Sequence, residues 1–366
     1  MKKLAGITLL VFLATTLALF AQDVKTTSPV QVTFFYPVGS NGQNSMDKAN
    51  NFSLNVIWGM NGGVSGFELG GIGNFNKGDV TGAQIGGICN INTGSFNGAV
   101  VGGITNLTKE DAKGLQLAGI ANLNGGETNG LMLSGITNFA QKNSKGAQVS
   151  LINFAFENMN GFQLGLVNYT KGMNGFQLGL TNYAKKMKGF QLGLVNVSDT
   201  IDGIALGLIS FTKDGYYAVE VSSSEVLYSS VSYKMGVSKL YNIYTLGYGR
   251  YENKDVYSYG LGLGSLVSLH PRHSLAIEGI ANQMVYNNVW DNLNLLHKLN
   301  LTYQFHLTKR ITLFGGPSFN HYITDYIVNG KYGTVDMPNP IWEHSGKNKR
   351  QYMWFGYNAG INIELQ

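Results

Sequence analysis

Two periodicities of hydrophobic and polar residues divide this chain. Between residues 61 and 215, a glycine-initiated unit with apolar residues at fixed places recurs every 14 to 16 residues. From Tyr216 onward, apolar residues fall on every second position, as where Leu299, Leu301 and Tyr303 alternate with polar neighbours. A period of two predicts β-strands with one apolar face. A unit that recurs at a fixed spacing predicts a repeat architecture.

Ten repeat units follow one another. Early units read GFELGGIGN, GAQIGGICN or GLQLAGIAN, and later units read GFQLGLVN or GFQLGLTN. The opening glycines are Gly66, Gly82, Gly98, Gly114, Gly130, Gly146, Gly161, Gly175, Gly189 and Gly203. The closing asparagines, which we expect to form a structural ladder, are Asn74, Asn90, Asn106, Asn122, Asn138, Asn153, Asn168, Asn182 and Asn196. The tenth unit ends at Ser210 and is degenerate, as expected of a terminal repeat.

Two architectures can use such a unit. In a parallel β-solenoid each residue stacks on its own equivalent about 4.8 Å away, which favours identical residues at one position. In an antiparallel meander, the alternative, neighbouring strands pair non-equivalent positions. The early units carry one residue more than the later ones, which is harmless at a corner but reverses every following side chain within a straight strand. We therefore favour a solenoid of about ten coils.

The chemistry of each position predicts its place in a coil. Leucine and isoleucine are expected to fill a narrow core, and small residues such as Gly70 and Ser134 are expected at a tight corner. The asparagines are expected inside or at a corner, since stacked amides satisfy each other's hydrogen bonds. Glutamines and aromatic residues are expected on the outside. They form a candidate interaction face of Gln148, Gln163, Gln177, Gln191, Phe162, Phe176 and Phe190.

The C-terminal half, residues 216–366, predicts an antiparallel β-barrel. Alternation marks eight strands, and short turns at 238–239, 270–271 and 308–309 alternate with longer connections, as in outer-membrane barrels. Two N-terminal strands within residues 30–60 alternate similarly and would raise the barrel to ten strands. The alternative is a soluble β-sandwich. The predicted fold class is thus all-β, a solenoid joined to a transmembrane barrel of eight to ten strands.

Residues 1–22 have the features of a secretory signal peptide. Lys2 and Lys3 precede an apolar run that ends at Phe20 and is followed by a small-residue boundary. No later apolar run reaches the 18 to 20 residues that a membrane helix needs, so strands would have to span any membrane. The single cysteine, Cys89, forms no intramolecular disulfide. These features predict export to a bacterial outer membrane or cell surface.

Composition sharpens this interpretation. Glycine supplies 49 of the 366 residues, and 31 of them lie between positions 61 and 215, so the excess marks the repeat. The formal net charge of +5 is too small to indicate a nucleic-acid partner. No motif predicts a cofactor or a metal: His270 and His273 flank a tight turn without a nearby carboxylate, and the glycines between 260 and 264 lie in a strand with no following helix.

The repeat arrays resemble a known group of proteins. The G-x-Q-L-G-L-x-N and G-x-x-L-G-G-I-x-N units, with the signal and the alternating tail, are similar to a family of exported surface-repeat proteins of spirochaetes and Bacteroidetes. The resemblance covers nearly the whole chain and implies location and architecture, not an activity. The Q-x-G-x-x-N core is also similar to the curlin repeat of bacterial amyloid fibres, although curlin repeats are longer and lack the opening glycine.

These features predict a non-enzymatic outer-membrane protein whose repeat module has a structural or binding role. Its expected partners are outer-membrane lipid and an envelope protein or glycan. A pore or small-solute channel is the alternative. A lipid-modifying barrel enzyme is the third candidate, because His306 and Glu364 face the predicted barrel interior and serine or aspartate partners exist.

Overall fold

The computed structural model describes residues 26–365, and the signal peptide predicted for residues 1–22 lies outside them. The protein is all-β, with a parallel β-solenoid of about ten turns and a closed eight-stranded antiparallel barrel. This confirms the predicted fold class. The chain divides into two compact units, one ending at Leu192 and the other beginning at Gly193, so that the last coil belongs to the second unit.

The first unit consists of parallel coils and one short 3-10 helix, Gly42–Asp47. Its strands are β1 (Thr26–Phe35), β2 (Val38–Gly39), β3 (Lys48–Asn61), β4 (Gly63–Gly70), β5 (Gly73–Asn76), β6 (Val80–Gly86), β7 (Cys89–Asn92), β8 (Phe96–Gly102), β9 (Thr105–Thr108), β10 (Ala112–Ala118), β11 (Ala121–Asn124), β12 (Thr128–Ser134), β13 (Thr137–Ala140), β14 (Ser144–Val149), β15 (Ile152–Leu164), β16 (Val167–Leu178) and β17 (Thr181–Leu192).

Equivalent residues of successive coils lie opposite each other. Gly114 pairs with Gly130, and Asn122 pairs with Asn138, in parallel ladders. This register confirms the solenoid and excludes the meander. The extra residue of the early units lies at the bend that follows the first strand of each coil, as at 119–120, where it does not disturb the alternation on either side.

The opening glycines are required by backbone conformation and by close approach of the next coil. All ten have φ between +115° and +159°, which L-residues with a side chain rarely adopt. A Cβ built on Gly130 would lie 2.0 Å from the carbonyl oxygen of Gly114. The glycine period is therefore a requirement of coil stacking.

The two N-terminal strands belong to the solenoid, so the prediction that they join the barrel is wrong. β1 pairs in parallel with β3, and β3 pairs in parallel with β4 and β5. As in the other coils, the polar residues of β1 face inward: Gln31 and Thr33 are buried, while Val30 and Val32 are exposed. A period of two does not distinguish a coil strand from a barrel strand.

The interior of the coils is polar, which overturns the expected leucine and isoleucine core. Asn122, Gln116 and Asn124 are buried, whereas Ile120 and its equivalents are exposed. Small apolar columns, such as Val64, Val80 and Phe96, fill only one part of the interior. The physical reason is that stacked amides satisfy one another inside, so no apolar core is needed.

The second unit begins with the last coil, β18 (Val195–Leu206) and β19 (Ile209–Thr212), and continues into the barrel. The barrel strands are β20 (Tyr216–Ser224), β21 (Ser229–Val237), β22 (Leu240–Tyr251), β23 (Lys254–His270), β24 (His273–Tyr286), β25 (Asn294–His306), β26 (Ile311–Thr324) and β30 (Arg350–Glu364). The long loop before β30 carries β27 (Ile327–Val328), β28 (Lys331–Tyr332) and β29 (Trp342–Ser345).

Each barrel strand pairs antiparallel with the next, and pairing of β20 with β30 closes the sheet. The eight predicted strands are confirmed. The predicted alternation of short and long connections fails at residues 252–253, which form a two-residue turn with both residues at positive φ. This is the geometry that suits a tight hairpin. Among residues 26–365, no helix is long and apolar enough to cross a membrane.

Replacing an opening glycine tests the stacking requirement. We expect Gly130→Ala to destabilise the coils by about 2 to 4 kcal/mol, because the new Cβ meets a backbone oxygen and the φ of +146° is strained. Chemical unfolding followed by circular dichroism measures this. Ser134→Ala in the same coil is the control, since the buried Ser134 hydroxyl has no hydrogen-bond partner within residues 26–365. Equal stability of the two variants would contradict the stacking requirement.

Candidate functional site

An asparagine ladder runs through the coil interior, as the sequence predicted. Each Nδ2 donates to Oδ1 of the equivalent asparagine in the next coil at 2.8 to 3.1 Å, from Asn74 through Asn182. Asn55, which sequence reasoning missed, heads the ladder by donating to Asn74 at 2.8 Å. Its unit departs from the repeat pattern, so no motif marked it.

The same amides also hold the corners of the coils. The second hydrogen of Asn122 goes to the carbonyl oxygen of Leu133 in the next coil at 2.8 Å, and Asn168 makes the equivalent bond to Leu178 at 2.9 Å. Those carbonyls end a strand just before the bend. Each ladder asparagine thus uses both hydrogens and its oxygen in fixing one coil on the next.

The predicted interaction face is only partly on the surface. Gln148, Gln163, Gln177 and Gln191 are fully buried, and neighbouring members are joined by Nε2-to-Oε1 bonds of 2.8 Å. Their placement outside was wrong, because β-strand alternation puts them on the same side as the asparagines. Phe162, Phe176 and Phe190 do lie on the opposite, outward side, and Phe176 is 56% exposed.

One carboxylate, Glu68, occupies the glutamine column. It stands opposite Gln84 in the parallel register and is fully buried. Asn55, Asn76 and Gln84 donate to its two oxygens at 2.6 to 3.0 Å, and Asn61 donates as well. Burial raises the pKa of the Glu68 carboxyl to about 7, although the four amide donors act in the other direction.

The outside of each coil has an apolar corner, which we call the corner ridge. Its members stand at the bend, one per coil, and are 42% to 50% exposed in the first unit. The corner ridge consists there of Ile72, Ile88, Ile104, Ile120, Ile136, Leu151, Leu166 and Leu180, and in the second unit of Leu194 and Leu208. Tyr169 and Tyr183 stack beside it with ring centroids 5.1 Å apart.

Half a coil away in the chain, exposed charges form a second feature, the charged edge. In the first unit the charged edge comprises Lys109, Glu110, Asp111, Glu127, Lys142, Lys171, Lys185 and Lys186. In the second unit it comprises Asp202, Lys213 and Asp214. The surface of a coil therefore changes from apolar at one end to charged at the other.

The barrel interior holds a buried ionic cluster that the sequence did not reveal. Lys234 is fully buried and contacts the carboxylates of Glu220 and Glu278. The Tyr241 hydroxyl donates to Glu278 at 2.7 Å, and the Lys234 ammonium lies 5.8 Å from the ring of Phe314. Glu220 lies on the strand next to Lys234, whereas Glu278 reaches Lys234 from β24 across the barrel interior, so no local pattern announces this cluster.

The other end of the barrel is filled by apolar side chains. Leu296, Tyr322 and Trp354 are buried there, and the long loop adds Val328 and Val335 to the same cluster. The loop therefore folds into the barrel mouth. Together with the ionic cluster, this packing leaves the interior occupied by side chains, as is usual for eight strands.

A serine, a histidine and a glutamate meet inside the barrel near its short turns. Ser274 Oγ lies 2.9 Å from His306 Nε2, and His306 Nδ1 lies 3.9 Å from Glu364 Oε1. The Thr312 hydroxyl is closer to Nδ1, at 2.8 Å. The sequence identified His306 and Glu364, and the fold supplies Ser274 from the neighbouring strand. Glu364 also lines a cavity of about 350 Å³.

The remaining sequence candidates gain no partners for metal chemistry. His270 and His273 pair with each other across their turn, with ring centroids 5.6 Å apart. Within residues 26–365, no group of three or more His, Cys, Asp or Glu side chains could hold a metal ion. Gly260, Gly262 and Gly264 lie within β23 and face neighbouring strands.

The fold and these sites define a solenoid-and-barrel protein in which both parts have polar interiors. No protein-family profile matches the chain, and no curated protein matches it. Among solved structures, it is similar to the crystal structure of Neisserial surface protein A (NspA), at 13% identity and a TM-score of 0.26. That match covers 41% of this chain and 94% of the other.

The buried carboxyl predicts a pH dependence of coil stability. Because the folded state holds the Glu68 proton more tightly than the unfolded chain does, the stability contributed by Glu68 is fully present below about pH 4.5 and is lost as the pH rises through about 7. We expect a loss of about 3 kcal/mol over that range, which Glu68→Gln removes. Thermal unfolding by circular dichroism at pH 5 and pH 8 measures it.

Glu110→Gln on the charged edge is the matched control and should keep the wild-type pH dependence, since Glu110 is exposed. If Glu68→Gln retained the full difference between pH 5 and pH 8, another group would be responsible.

Proposed function

We propose that this protein is a non-enzymatic outer-membrane protein in which a β-barrel anchors a repeat module with a structural or binding role. The observation that carries the proposal is the inverted polarity of the barrel wall. Leu299 and Leu301 are 51% and 42% exposed on the outside, whereas Asn300 and Thr302 between them are buried inside. An apolar exterior around a polar interior is the arrangement of transmembrane barrels.

Strand length and aromatic placement support the same function. The barrel strands run for 9 to 17 residues, and about 9 to 11 tilted residues cross a bilayer. Exposed aromatic rings lie near the strand ends, with Tyr259 and Trp290 stacked at the loop end and Tyr303 near the short turns. Such rings typically sit at the two membrane interfaces.

The filled interior favours an anchor over the alternative of a pore. Lys234 with its two carboxylates occupies one half, and the cluster around Trp354 occupies the other. An aqueous channel through a barrel needs many more strands than eight. We therefore infer that the barrel holds the protein in the membrane and that the coils carry the further role.

Membrane integration is tested by fractionation and heat-modifiable migration of the full-length protein. We expect resistance to carbonate and high salt, and a folded band that shifts on boiling. Leu301→Arg should reduce the folded fraction, at a cost of about 2 to 4 kcal/mol on a lipid-facing wall. Ile327→Arg is the control, because Ile327 is similarly exposed but lies in the long loop. Full extraction of the protein by carbonate would refute the proposal.

A hydrolytic barrel is a second candidate, favoured by the grouping of Ser274, His306 and Glu364. A serine within hydrogen-bond reach of a histidine, with a carboxylate beyond it, is the arrangement that activates a nucleophile. Gln304 stands directly opposite Ser274, and its amide has no hydrogen-bond partner among the described residues. That free amide could stabilise an oxyanion.

A fluorophosphonate probe separates the two candidates, since it labels only activated serines. The hydrolytic candidate predicts labelling that is lost in Ser274→Ala and a fall in ester hydrolysis of about 10³-fold or more. Ser268→Ala, a serine opposite Ser274 on the adjacent strand, is the matched control and should change neither. The non-enzymatic proposal expects no labelling of wild-type protein in detergent or in lipid.

A further inference from the structure

The last coil packs on the outer wall of the barrel. β18 and β19 contact β21 and β22, and the Tyr244 hydroxyl donates to the backbone oxygen of Leu208 on the corner ridge. Tyr244 points outward, because its neighbours Ile243 and Thr245 face the interior. The coil therefore lies against the face that the proposed function assigns to lipid.

The charged end of this coil lies beside the polar turn of the barrel, and its apolar end lies beside the apolar barrel wall. At the short turn 238–239, Lys239 pairs with Asp202 of the charged edge at 3.1 Å. Leu208 meets Tyr244, five residues further along the strand, or about 16 Å. Beyond it the apolar wall continues with the 67% exposed Leu246. The charged edge is thus level with the turn, and the corner ridge is level with the apolar wall.

At most bends of the corner ridge in the first unit, the backbone is hydrogen-bonded from one coil to the next. In the first unit, the N–H of Ile88 donates to the oxygen of Ile72 at 2.6 Å, and that of Leu180 donates to Leu166 at 3.0 Å. The N–H groups of Ile104, Ile120, Ile136 and Leu166 make the equivalent bond to the ridge member of the preceding coil. Backbone that is fully paired can enter hydrocarbon, whereas unpaired backbone cannot.

The side chains of the corner ridge are suited to contact with a fluid apolar medium rather than with a specific protein surface. The ridge is a column of leucine and isoleucine without a polar side chain among its members, and Leu151, Leu166 and Leu180 line an open apolar recess of about 540 Å³. Specific protein interfaces carry about one hydrogen bond per 100 to 200 Å². An apolar ridge backed by a charged edge instead resembles the amphipathic elements that lie in a membrane interface.

We propose that the acyl chains of the bilayer around the barrel cover the corner ridge, while the charged edge remains in water. This inference rests on the proposed function, since the barrel supplies the bilayer. The coils are then a membrane-embedded module with lipid as the direct partner of the repeat.

Site-directed spin labelling tests the partner of the corner ridge in the full-length chain. In a Cys89→Ala background, nitroxides are attached at Ile120→Cys and Leu180→Cys on the corner ridge. Lys186→Cys on the charged edge serves as the aqueous control, and Leu299→Cys on the barrel wall serves as the lipid control. The protein is reconstituted in phosphatidylethanolamine–phosphatidylglycerol vesicles, and heat-modifiable migration checks the fold of each variant.

Collision with oxygen, which enters lipid, is compared with collision with a nickel chelate, which stays in water. We expect the oxygen-to-nickel ratio at both ridge positions to match Leu299 and to exceed Lys186 by about tenfold. Ridge positions that match Lys186 while Leu299 keeps its lipid ratio would overturn this inference and leave the barrel proposal standing. Ridge labels shielded from both reagents would mean a protein cover, which also overturns it. An aqueous ratio at Leu299 would refute the barrel proposal itself.

Discussion

The coil-to-coil amide bond is the interaction on which the solenoid depends. Each ladder asparagine donates one hydrogen to its equivalent and the other to a carbonyl at the next corner, as Asn122 does with Asn138 and Leu133. Every hydrogen-bonding atom of the side chain then has a partner. Its burial therefore leaves no polar atom unsatisfied. A coil can therefore be narrow, with amides inside, and the alternate residues of each strand must point outward. The apolar exterior follows from the polar interior.

The barrel reaches the same polarity by a different route. Its interior is wide enough for charged groups to meet across the lumen, so Lys234 is neutralised by two carboxylates rather than by a ladder. Such a cluster holds only while all its members are present, because a buried charge without its partner is costly. In the coils the asparagine ladder is satisfied level by level. Glu68 is accommodated there because four amides of the surrounding levels converge on it.

Periodicity predicted most of this architecture but not which face is inside. The spacing of the glycines identified the coils, and alternation identified the eight barrel strands. Alternation alone is symmetrical, so Gln163 and Leu164 could equally have faced the interior. The expected leucine core assumed that the apolar side chains of each strand face inward, but in the coils the amides do so. The same symmetry explains why Val30 and Val32 were assigned to the barrel. Lys234 and Ser274 escaped because their partners lie on other strands, and a linear sequence shows neither the register of paired strands nor contacts across the barrel interior.

Repetition also determines what the coils can recognise. A binding pocket needs different groups converging on one point, and the coils place the same group at the same point on every level. The corner ridge offers Ile104, Ile120 and Ile136 in similar surroundings, without a polar side chain among them. Such a surface selects poorly among different apolar molecules. It does favour an apolar medium over water, because each added coil contributes more apolar area. A repeat of this kind is suited to a bilayer, in which any acyl chain can fill any level.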